Sequence, residues 1–370
     1  MEYKKRKPAV LLLEDGSLFH GFSIGQEGTS EGEICFNTGL TGYQEIYTDP
    51  SYYGQIIINT NVHIGNYGVL NAETESDSAK IKGLVVKSFT DLYSRKTAES
   101  SLNTYLINSG IVGIAGIDTR KLVRHIREKG AMNALVSTET EHLDELKSKL
   151  ATVPSMQGLE LATQVSTREP WLLGETGADF KVAVLDLGIK RNILNSLLQR
   201  NCRCKIFPAT TAFEEMQAWQ PDGYFISNGP GDPAASMYAV ETVKKILAQN
   251  VPLFGICLGH QILALACGIS TFKMHHGHRG LNHPVKNLIT GKCEVTSQNH
   301  GFSVNAEEVR AKENVQITHI NLNDDTVEGI RLTDKLAFSV QYHPESSPGP
   351  HDSRYLFDEF LAMMQKREFA

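Results

Sequence analysis

Apolar and polar positions alternate in two different ways along the second half of the chain. Four short apolar runs are separated by segments in which apolar residues recur at helical spacing, and these runs are KVAVLDLG (181–188), CRCKIFP (202–208), GYFIS (223–227) and VPLFGI (251–256). Strands that alternate with helices need crossover connections, which produce a parallel sheet buried on both faces. The pattern therefore predicts an α/β domain with an open, mostly parallel sheet.

The rest of the chain has a different pattern of apolar and polar positions. After residue 270, shorter strand-like pieces precede a final helix. The first 150 residues combine strand-like runs with a helix whose predicted caps are Asp118 and Gly130, and the segment that follows carries turn residues without sustained periodicity. We predict a mixed α/β N-terminal domain (1–150), a connection (151–179) and a C-terminal α/β domain (180–370).

Composition and charge restrict the possible function classes. With 41% hydrophobic and 21% charged residues, the 370-residue chain is typical of a soluble globular protein, and its net charge of -6 argues against nucleic acid as the main partner. No apolar run approaches the roughly 20 residues that span a bilayer, so no membrane association is expected. The basic start of the chain is followed by a short apolar stretch, Ala9–Leu13, which is too brief for a secretory signal, and the six cysteines are widely spread. These features predict a cytoplasmic protein.

Cys257 lies where the pattern changes from strand to helix, in FGICLGHQILALACG (254–268). Gly255 and Gly259 flank it two residues away on either side, which is the layout of a nucleophile elbow, where a sharp turn needs small neighbours. At such a position the helix N-terminus stabilises a thiolate, and the amide of Leu258 is directed toward a developing oxyanion. A lone cysteine in an apolar run is more often buried and inert, so a catalytic Cys257 also needs a base.

The segment FSVQYHPESSPGP (338–350) supplies a candidate base. His343 ends a strand-like run, and Glu345 follows two residues later. Residues two apart on an extended chain share a face, so Glu345 is predicted to hold one ring nitrogen of His343 while the other faces the sulfur. A Cys-His-Glu arrangement performs acyl transfer through a thioester, with the histidine as base and then as acid. His260 and His300 have no carboxylate two residues on, so both rank below His343.

The motif SNGPGDP (227–233) ends another predicted strand. Two glycines around a proline usually mean only a tight turn, and the motif lacks the GxGxxG pattern and the following Lys-Ser/Thr of phosphate loops. If its strand lies beside the strand that precedes Cys257, its amides can complete the oxyanion site. The motif is weak evidence alone and stronger evidence next to the elbow.

These motifs, GICLGHQ, SNGPGDP and YHPE in this order, closely resemble the class I (triad) glutamine amidotransferases. The resemblance implies a flavodoxin-like C-terminal domain that releases ammonia from glutamine through a cysteinyl thioester. It carries over Cys257 as the nucleophile, His343 as the base and Glu345 as its orienting partner. It also implies a set of residues that bind glutamine or its oxyanion, namely Gly229, Gly231, Leu258, Gln261, Asn299, Gly301 and Phe302.

The N-terminal half resembles the small-chain family of carbamoyl-phosphate synthetases, on residues 36–68 and 113–133. This resemblance implies that Ser51 reaches glutamine from the N-terminal domain. It further implies a heterodimer or higher assembly with a large subunit, which binds ATP and Mg and makes carbamoyl phosphate from bicarbonate and ammonia for arginine and pyrimidine biosynthesis. The chain itself is expected to need no cofactor, and it shows no GxxxxGK[ST] motif.

Two alternatives stay open at this point. A stand-alone cysteine amidase or peptidase would use the same triad without a partner, and a non-catalytic scaffold subunit would carry the triad unused. High unaided turnover on peptides or amides would favour the first alternative.

Four histidines crowd the segment MHHGHRGLNHP (274–284) and are His275, His276, His278 and His283. Imidazole is a common zinc ligand, but no cysteine or carboxylate lies inside this segment to complete a site. We therefore predict a polar loop beside the glutamine pocket and no bound metal.

Overall fold

The computed structural model of the protein describes residues 6–366. Two segments lie outside the described residues. They are 1–5, which contains most of the basic start, and 367–370 at the end of the predicted C-terminal domain. The chain divides into two compact units between Met156 and Gln157.

The first unit is built on a closed barrel with helices. Its strands are β1 (Pro8–Leu13), β2 (Leu18–Gly25), β3 (Thr29–Asn37), β4 (Gln55–Asn59), β5 (His63–Ile64), β6 (Gly83–Val85), β7 (Ser88–Phe89), β8 (Val112–Ala115) and β9 (Met132–Ser137). Its α-helices are α1 (Tyr43–Thr48), α2 (Leu102–Asn108), α3 (Thr119–Lys129) and α4 (Leu143–Leu150). The barrel order is β1-β2-β8-β6-β4-β3-β9, and β5 pairs with β7 separately.

Alternation along the barrel strands gives this unit its buried clusters. In β4, Ile56 and Ile58 join one cluster with Leu11 of β1, whereas Ile57 joins another with Tyr47 of α1 and Leu102 of α2. Successive side chains of a strand point to opposite faces, so β4 is buried on both sides.

The predicted helix caps of α3 are confirmed. The side chain of Asp118 accepts a hydrogen bond from the amide of Lys121 at 3.0 Å, and Gly130 ends the helix with a φ of 97°. A carboxylate at the N-cap satisfies an amide that the helix leaves without a partner, and glycine tolerates the positive φ that ends it.

The second unit is a three-layer α/β structure. Its strands are β10 (Trp171–Leu173), β11 (Phe180–Asp186), β12 (Cys202–Pro208), β13 (Gly223–Ile226), β14 (Leu253–Ile256), β15 (Thr271–Asn287), β16 (Cys293–Val304), β17 (Val315–Asn321), β18 (Val327–Leu332) and β19 (Ala337–Val340). Its α-helices are α5 (Ala162–Val165), α6 (Arg191–Leu198), α7 (Phe213–Ala218), α8 (Met237–Ala248), α9 (Leu258–Ala266), α10 (Ala306–Arg310) and α11 (Tyr355–Lys366).

The sheet of this unit has a parallel centre. Its order is β10-β12-β11-β13-β14-β19-β18-β17-β15-β16, and the five strands from β12 to β19 run parallel to one another. Numbered along the chain, these five strands have the order 2-1-3-4-5 of flavodoxin-like folds. Val182 and Val184 of β11 enter a buried cluster on one face, and Ala183 and Leu185 enter a cluster on the other. The predicted flavodoxin-like sheet is therefore confirmed, with antiparallel strands added on both sides.

Much of the segment predicted as a connection (151–179) belongs to the second unit. The boundary lies at Met156, and β10 pairs with β12 at one edge of the ten-stranded sheet. A three-residue edge strand is too short to show periodicity in the sequence, which is why this segment resembled a linker.

The predicted histidine loop is also wrong, because residues 274–284 lie within β15. Two irregularities in the pairing of β15 with β16 interrupt the alternation of side chains, and Gly277 has a φ of 69° there. Bulges of this kind break the period-2 alternation by which a strand is recognised in a sequence.

Among residues 6–366, no helix has the length and apolar character needed to cross a bilayer.

Candidate active site

Cys257 occupies a sharp turn between β14 and α9. Its φ of 54° and ψ of -103° lie in a region that side-chain-bearing residues rarely adopt, and its side chain is 3% exposed. A Cβ on Gly255 would lie 2.7 Å from the carbonyl oxygen of Gly259, and a Cβ on Gly259 would collide with the carbonyl oxygen of Ile226. The glycine pair is therefore required by the close approach of backbones around Cys257.

We expect Gly259→Ala to destabilise the second unit by about 2 kcal/mol or more, because the new methyl group overpacks α9 against β13. The shift of α9 should also lower glutamine hydrolysis. Gly177→Ala is the matched control, since its Cβ would meet no atom within 4 Å. Urea unfolding of both variants measures the difference, and equal stability of the two would contradict this account of the turn.

His343 reaches the elbow from the neighbouring strand. Strands β14 and β19 are parallel, with Ile256 opposite Val340, so the residues that follow them meet at one edge of the sheet. Nδ1 of His343 lies 2.7 Å from Oε1 of Glu345, as predicted. The backbone there is a turn rather than extended, closed by the amide of Ser346 on the carbonyl of His343 at 3.2 Å.

The charges around His343 favour its protonated form. Burial lowers the pKa of His343, but the charge of Glu345 and the neighbouring sulfur of Cys257 raise it to about 10. Nε2 of His343 is buried, and among the described residues it makes no hydrogen bond of regular geometry. With Nδ1 held by Glu345, Nε2 is the atom available to exchange a proton with the sulfur.

Lys190 was missed by the sequence analysis. It lies just after β11, its side chain is 3% exposed, and its Nζ is 2.8 Å from Oε1 of Glu345. Burial raises the pKa of Glu345, but Lys190 and His343 lower it to about 2. Asn192 adds a hydrogen bond from its Nδ2 to the carbonyl oxygen of Glu345 at 2.7 Å. A signal was present, because ligand sites of this fold gather at the carboxyl ends of the strands, and Lys190 follows the first of them.

We expect Lys190→Met to lower the free energy of unfolding by about 3–5 kcal/mol, because it leaves the buried Glu345 carboxylate without its lysine partner. The folded pKa of Glu345, about 2, is below its usual 4.5, so its ionisation stabilises the fold above pH 4.5 and this stability is lost as the pH falls toward 2. Without Lys190 the folded pKa rises toward its usual value, so the variant loses less stability than the wild type between pH 4.5 and pH 2.

Urea unfolding at neutral and acidic pH tests this expectation. Lys244→Met is the control, since the ion pair of Lys244 with Glu241 on α8 is exposed. If both lysine variants unfolded alike at every pH, Lys190 would have no special role.

The motif SNGPGDP lies where the sequence analysis placed it. Strand β13, which it follows, pairs in parallel with β14, so Gly229 and Gly231 lie near the same edge of the sheet as Cys257. A Cβ on Gly229 would lie 2.9 Å from Cδ2 of Leu258. The amide of Leu258 occupies the first position of α9, where helix geometry provides no intrahelical acceptor.

Strand β16 brings the QNHGF segment to the elbow. The sulfur of Cys257 lies 3.5 Å from the carbonyl oxygen of Asn299. Gln261 donates from Nε2 to the carbonyl oxygen of Phe302 at 2.9 Å and to Oε1 of Gln341 at 3.0 Å. Gly301 lies between Asn299 and Phe302 on this strand. Four of the predicted glutamine-binding residues thus surround the elbow on α9 and β16.

Ser51 lies in the first unit, in a short 3-10 turn (Pro50–Tyr52) after α1. Its amide donates to Oδ1 of Asp49 at 2.9 Å, and it is largely buried. Its contact with glutamine stays a prediction.

His260 and His300 do not contact Glu345. Nδ1 of His260 lies 2.8 Å from the hydroxyl of Ser339, and burial lowers the pKa of His260 to about 3. Nδ1 of His300 lies 2.8 Å from the carbonyl oxygen of Phe302. Both side chains are held in buried networks of their own.

Two family models match the chain, in separate parts. The model described as carbamoyl-phosphate synthase small chain, CPSase domain, matches residues 11–136, and the model described as glutamine amidotransferase class-I matches residues 183–363. Together they match most of each unit.

Similar curated proteins are carbamoyl phosphate synthase small chains. The protein from Chlorobaculum tepidum is 48% identical over 361 residues, covering 97% of this chain and 98% of the relative. The protein from Synechococcus sp. is 46% identical over 380 residues, covering 100% and 96%. The protein from Thermosynechococcus vestitus is 49% identical over 372 residues, covering 97% of both chains. The similarity therefore extends over the full length of each relative.

Proposed function

Because the chain belongs to the family of carbamoyl phosphate synthase small chains, we propose that Cys257, His343 and Glu345 perform its glutamine hydrolysis. The protein hydrolyses glutamine to glutamate and ammonia, and the ammonia goes to a large synthetase subunit that makes carbamoyl phosphate for arginine and pyrimidine biosynthesis. The observation that carries the residue assignment is the left-handed backbone of Cys257 beside an imidazole held by Glu345.

Acylation begins from an ion pair in which Nε2 of His343 has already taken the proton of the Cys257 thiol. The raised pKa of His343 favours this transfer. The sulfur then attacks the side-chain amide carbon of glutamine, and the amide oxygen becomes an oxyanion that the amides of Leu258 and Gly229 stabilise. His343 returns the proton to the leaving nitrogen, so that the C–N bond breaks, ammonia leaves and a thioester remains on Cys257.

Deacylation uses the same groups in reverse. His343 takes a proton from a water molecule, whose oxygen attacks the thioester carbon. The C–S bond breaks, glutamate leaves, and the proton passes from His343 to the sulfur. Glu345 keeps Nδ1 of His343 protonated and the ring oriented in both steps, and Lys190 holds Glu345 in place.

The remaining glutamine-binding residues position the substrate. We propose that the elbow side of the glutamine pocket is formed by Gln261, Gly231, Asn299, Gly301 and Phe302. Ser51 is proposed to contact glutamine from the first unit. None of these residues changes its covalent bonds during the reaction.

The small-chain family implies a larger partner subunit and glutamine as substrate. We further propose that the partner binds ATP and Mg and accepts ammonia directly, in a heterodimer or a higher assembly. Ammonia released into water at neutral pH becomes ammonium, which is no nucleophile, so direct transfer preserves its reactivity. This chain is proposed to use no cofactor and to act in the cytoplasm.

The two alternatives are not favoured. A stand-alone amidase and a non-catalytic scaffold are both less consistent with full-length similarity to small chains of a synthase. A non-catalytic scaffold would also have no need for the strained backbone of Cys257 beside His343 and Glu345.

Glutamate release tests the partner proposal. The chain is assayed alone and with the large subunit, ATP and bicarbonate. We expect weak hydrolysis by the isolated chain and faster hydrolysis in the assembled enzyme. Equal rates in both preparations, or high turnover of peptides by the isolated chain, would favour the stand-alone amidase.

A further inference from the structure

Three buried side chains outside the triad converge in the second unit. They are His278 on β15, His300 on β16 and Glu328 on β18, and one ligand atom of each lies within 4.8 Å of the others. His278 and His300 are directly opposite each other in the pairing of β15 with β16. Because all three residues lie on strands of one sheet, the backbone fixes the positions of their side chains.

Each histidine has its other ring nitrogen occupied. Nε2 of His278 lies 2.9 Å from Oδ2 of Asp324, and Nδ1 of His300 lies 2.8 Å from the carbonyl oxygen of Phe302. A carbonyl oxygen can only accept, so Nδ1 of His300 carries the hydrogen and a neutral ring has its lone pair on Nε2. Histidines that bind metals usually donate their second N–H to a carboxylate or a carbonyl in this way.

The nitrogens that remain face the carboxylate of Glu328, and each also lies near a side-chain amide. Nε2 of His300 is 3.3 Å from Oε1 of Gln298, and Nδ1 of His278 is 3.4 Å from Nδ2 of Asn321. Oε1 of Glu328 lies 3.4 Å from Nδ1 of His278 and 3.9 Å from Nε2 of His300. Oε2 of Glu328 is buried and has no hydrogen-bond partner among the described residues.

We propose that Nδ1 of His278, Nε2 of His300 and the carboxylate of Glu328 bind one divalent transition metal ion of the zinc type. Two imidazole nitrogens and one carboxylate are a ligand set that zinc accepts, and imidazole favours such ions over Mg or Ca. A metal was not predicted here because no carboxylate lies within residues 274–284. The carboxylate comes instead from a strand more than 40 residues further along the chain.

Charged and titratable side chains surround His278. The titratable groups that face His278 are Asp324, Glu328, His283 and His300. The two positive charges of a bound ion would balance the carboxylates of Glu328 and Asp324, which both lie against this ring.

The ion would fix β16 beside the elbow. His300 follows Asn299, whose carbonyl oxygen is in contact with the sulfur of Cys257. We assign the ion no part in the chemical step, because among the described residues none of its three ligands contacts Glu345 or the sulfur of Cys257. We expect its removal to affect stability more than the chemical step.

Metal analysis and titration test the proposal on the full chain. The chain is dialysed against a chelator and titrated with Zn²⁺ in a calorimeter. We expect one Zn²⁺ per chain. X-ray absorption of the zinc-loaded protein should show two imidazoles among nitrogen and oxygen ligands. When Co²⁺ replaces Zn²⁺, the visible absorption spectrum should be that of an ion with a low coordination number.

Variants separate this site from surface histidines. Glu328→Gln and His278→Asn should weaken Zn²⁺ binding by about 100-fold or more, and Asp324→Asn by about 10-fold. His275→Asn, an exposed position on the same strand, is the control and should bind Zn²⁺ like the wild type. Circular dichroism of the metal-free variants checks that each is folded.

Several results would overturn the proposal. The first is that the wild type fails to bind Zn²⁺ stoichiometrically. The second is that the X-ray absorption data show fewer than two imidazoles. The third is that His275→Asn and His278→Asn lose Zn²⁺ binding equally. The wild-type measurements decide the question even if a variant does not fold.

Discussion

The Cys257→Ser variant of the assembled enzyme is expected to lose glutamine-dependent carbamoyl phosphate synthesis by about 10⁴-fold or more. Serine keeps nearly the same size and the same backbone at the elbow, but its hydroxyl is a far weaker nucleophile at neutral pH than a thiol. Synthesis from added ammonium should continue, because that reaction bypasses glutamine hydrolysis. The measurement is carbamoyl phosphate formation with each nitrogen source.

Cys267→Ser is the matched control for this experiment. Cys267 ends α9, ten residues beyond Cys257, and makes no contact with the triad in the described contacts. We expect it to leave both activities near the wild-type level. Glutamine-dependent synthesis that survives in Cys257→Ser, or ammonium-dependent synthesis that disappears with it, would be incompatible with the proposed roles.

The His343→Asn variant is expected to lower the rate of glutamine hydrolysis by about 10²–10⁴-fold. The asparagine amide can still donate to Glu345 in place of Nδ1, but nothing replaces Nε2 as the atom that exchanges protons with Cys257. The loss should appear in kcat, with a smaller change in KM, because His343 is not among the residues assigned to glutamine binding. Glutamate release at saturating glutamine measures the effect.

His260→Asn is the control, since it removes another fully buried imidazole of the same domain. Its Nδ1 contacts Ser339 and it has no assigned part in catalysis. We expect kcat of this variant to stay much nearer the wild-type value. A larger loss in His260→Asn than in His343→Asn would mean that the wrong histidine has been assigned as the base.

The parallel sheet and the elbow were predictable because local patterns determine them. Alternating apolar runs and helical segments fix the crossover topology, and the glycines around Cys257 are required by backbones that approach within van der Waals distance. The order of strands then brings the ends of β13, β14 and β19 together. The contact between His343 and Glu345 followed from their closeness in sequence, although the chain turns there instead of remaining extended.

Features that depend on distant residues were not predictable from one sequence. Lys190 pairs with Glu345 from a loop 155 positions earlier, and its place after a strand end does not show which carboxylate it pairs with. His278 and Glu328 come together through the antiparallel extension of the sheet. The register shifts in β15 interrupt its alternation, so its sequence resembles that of a loop. The edge strand β10 was missed because three residues carry no detectable period.

The most direct test of the central claim is to detect the acyl group on Cys257. The enzyme is mixed with glutamine, quenched in acid during turnover and mapped by peptide mass spectrometry. We predict a glutamyl thioester on the peptide that contains Cys257 and no such group in the Cys257→Ser variant. Glutamate release without any acyl group on Cys257, or with the group on another cysteine, would contradict the account.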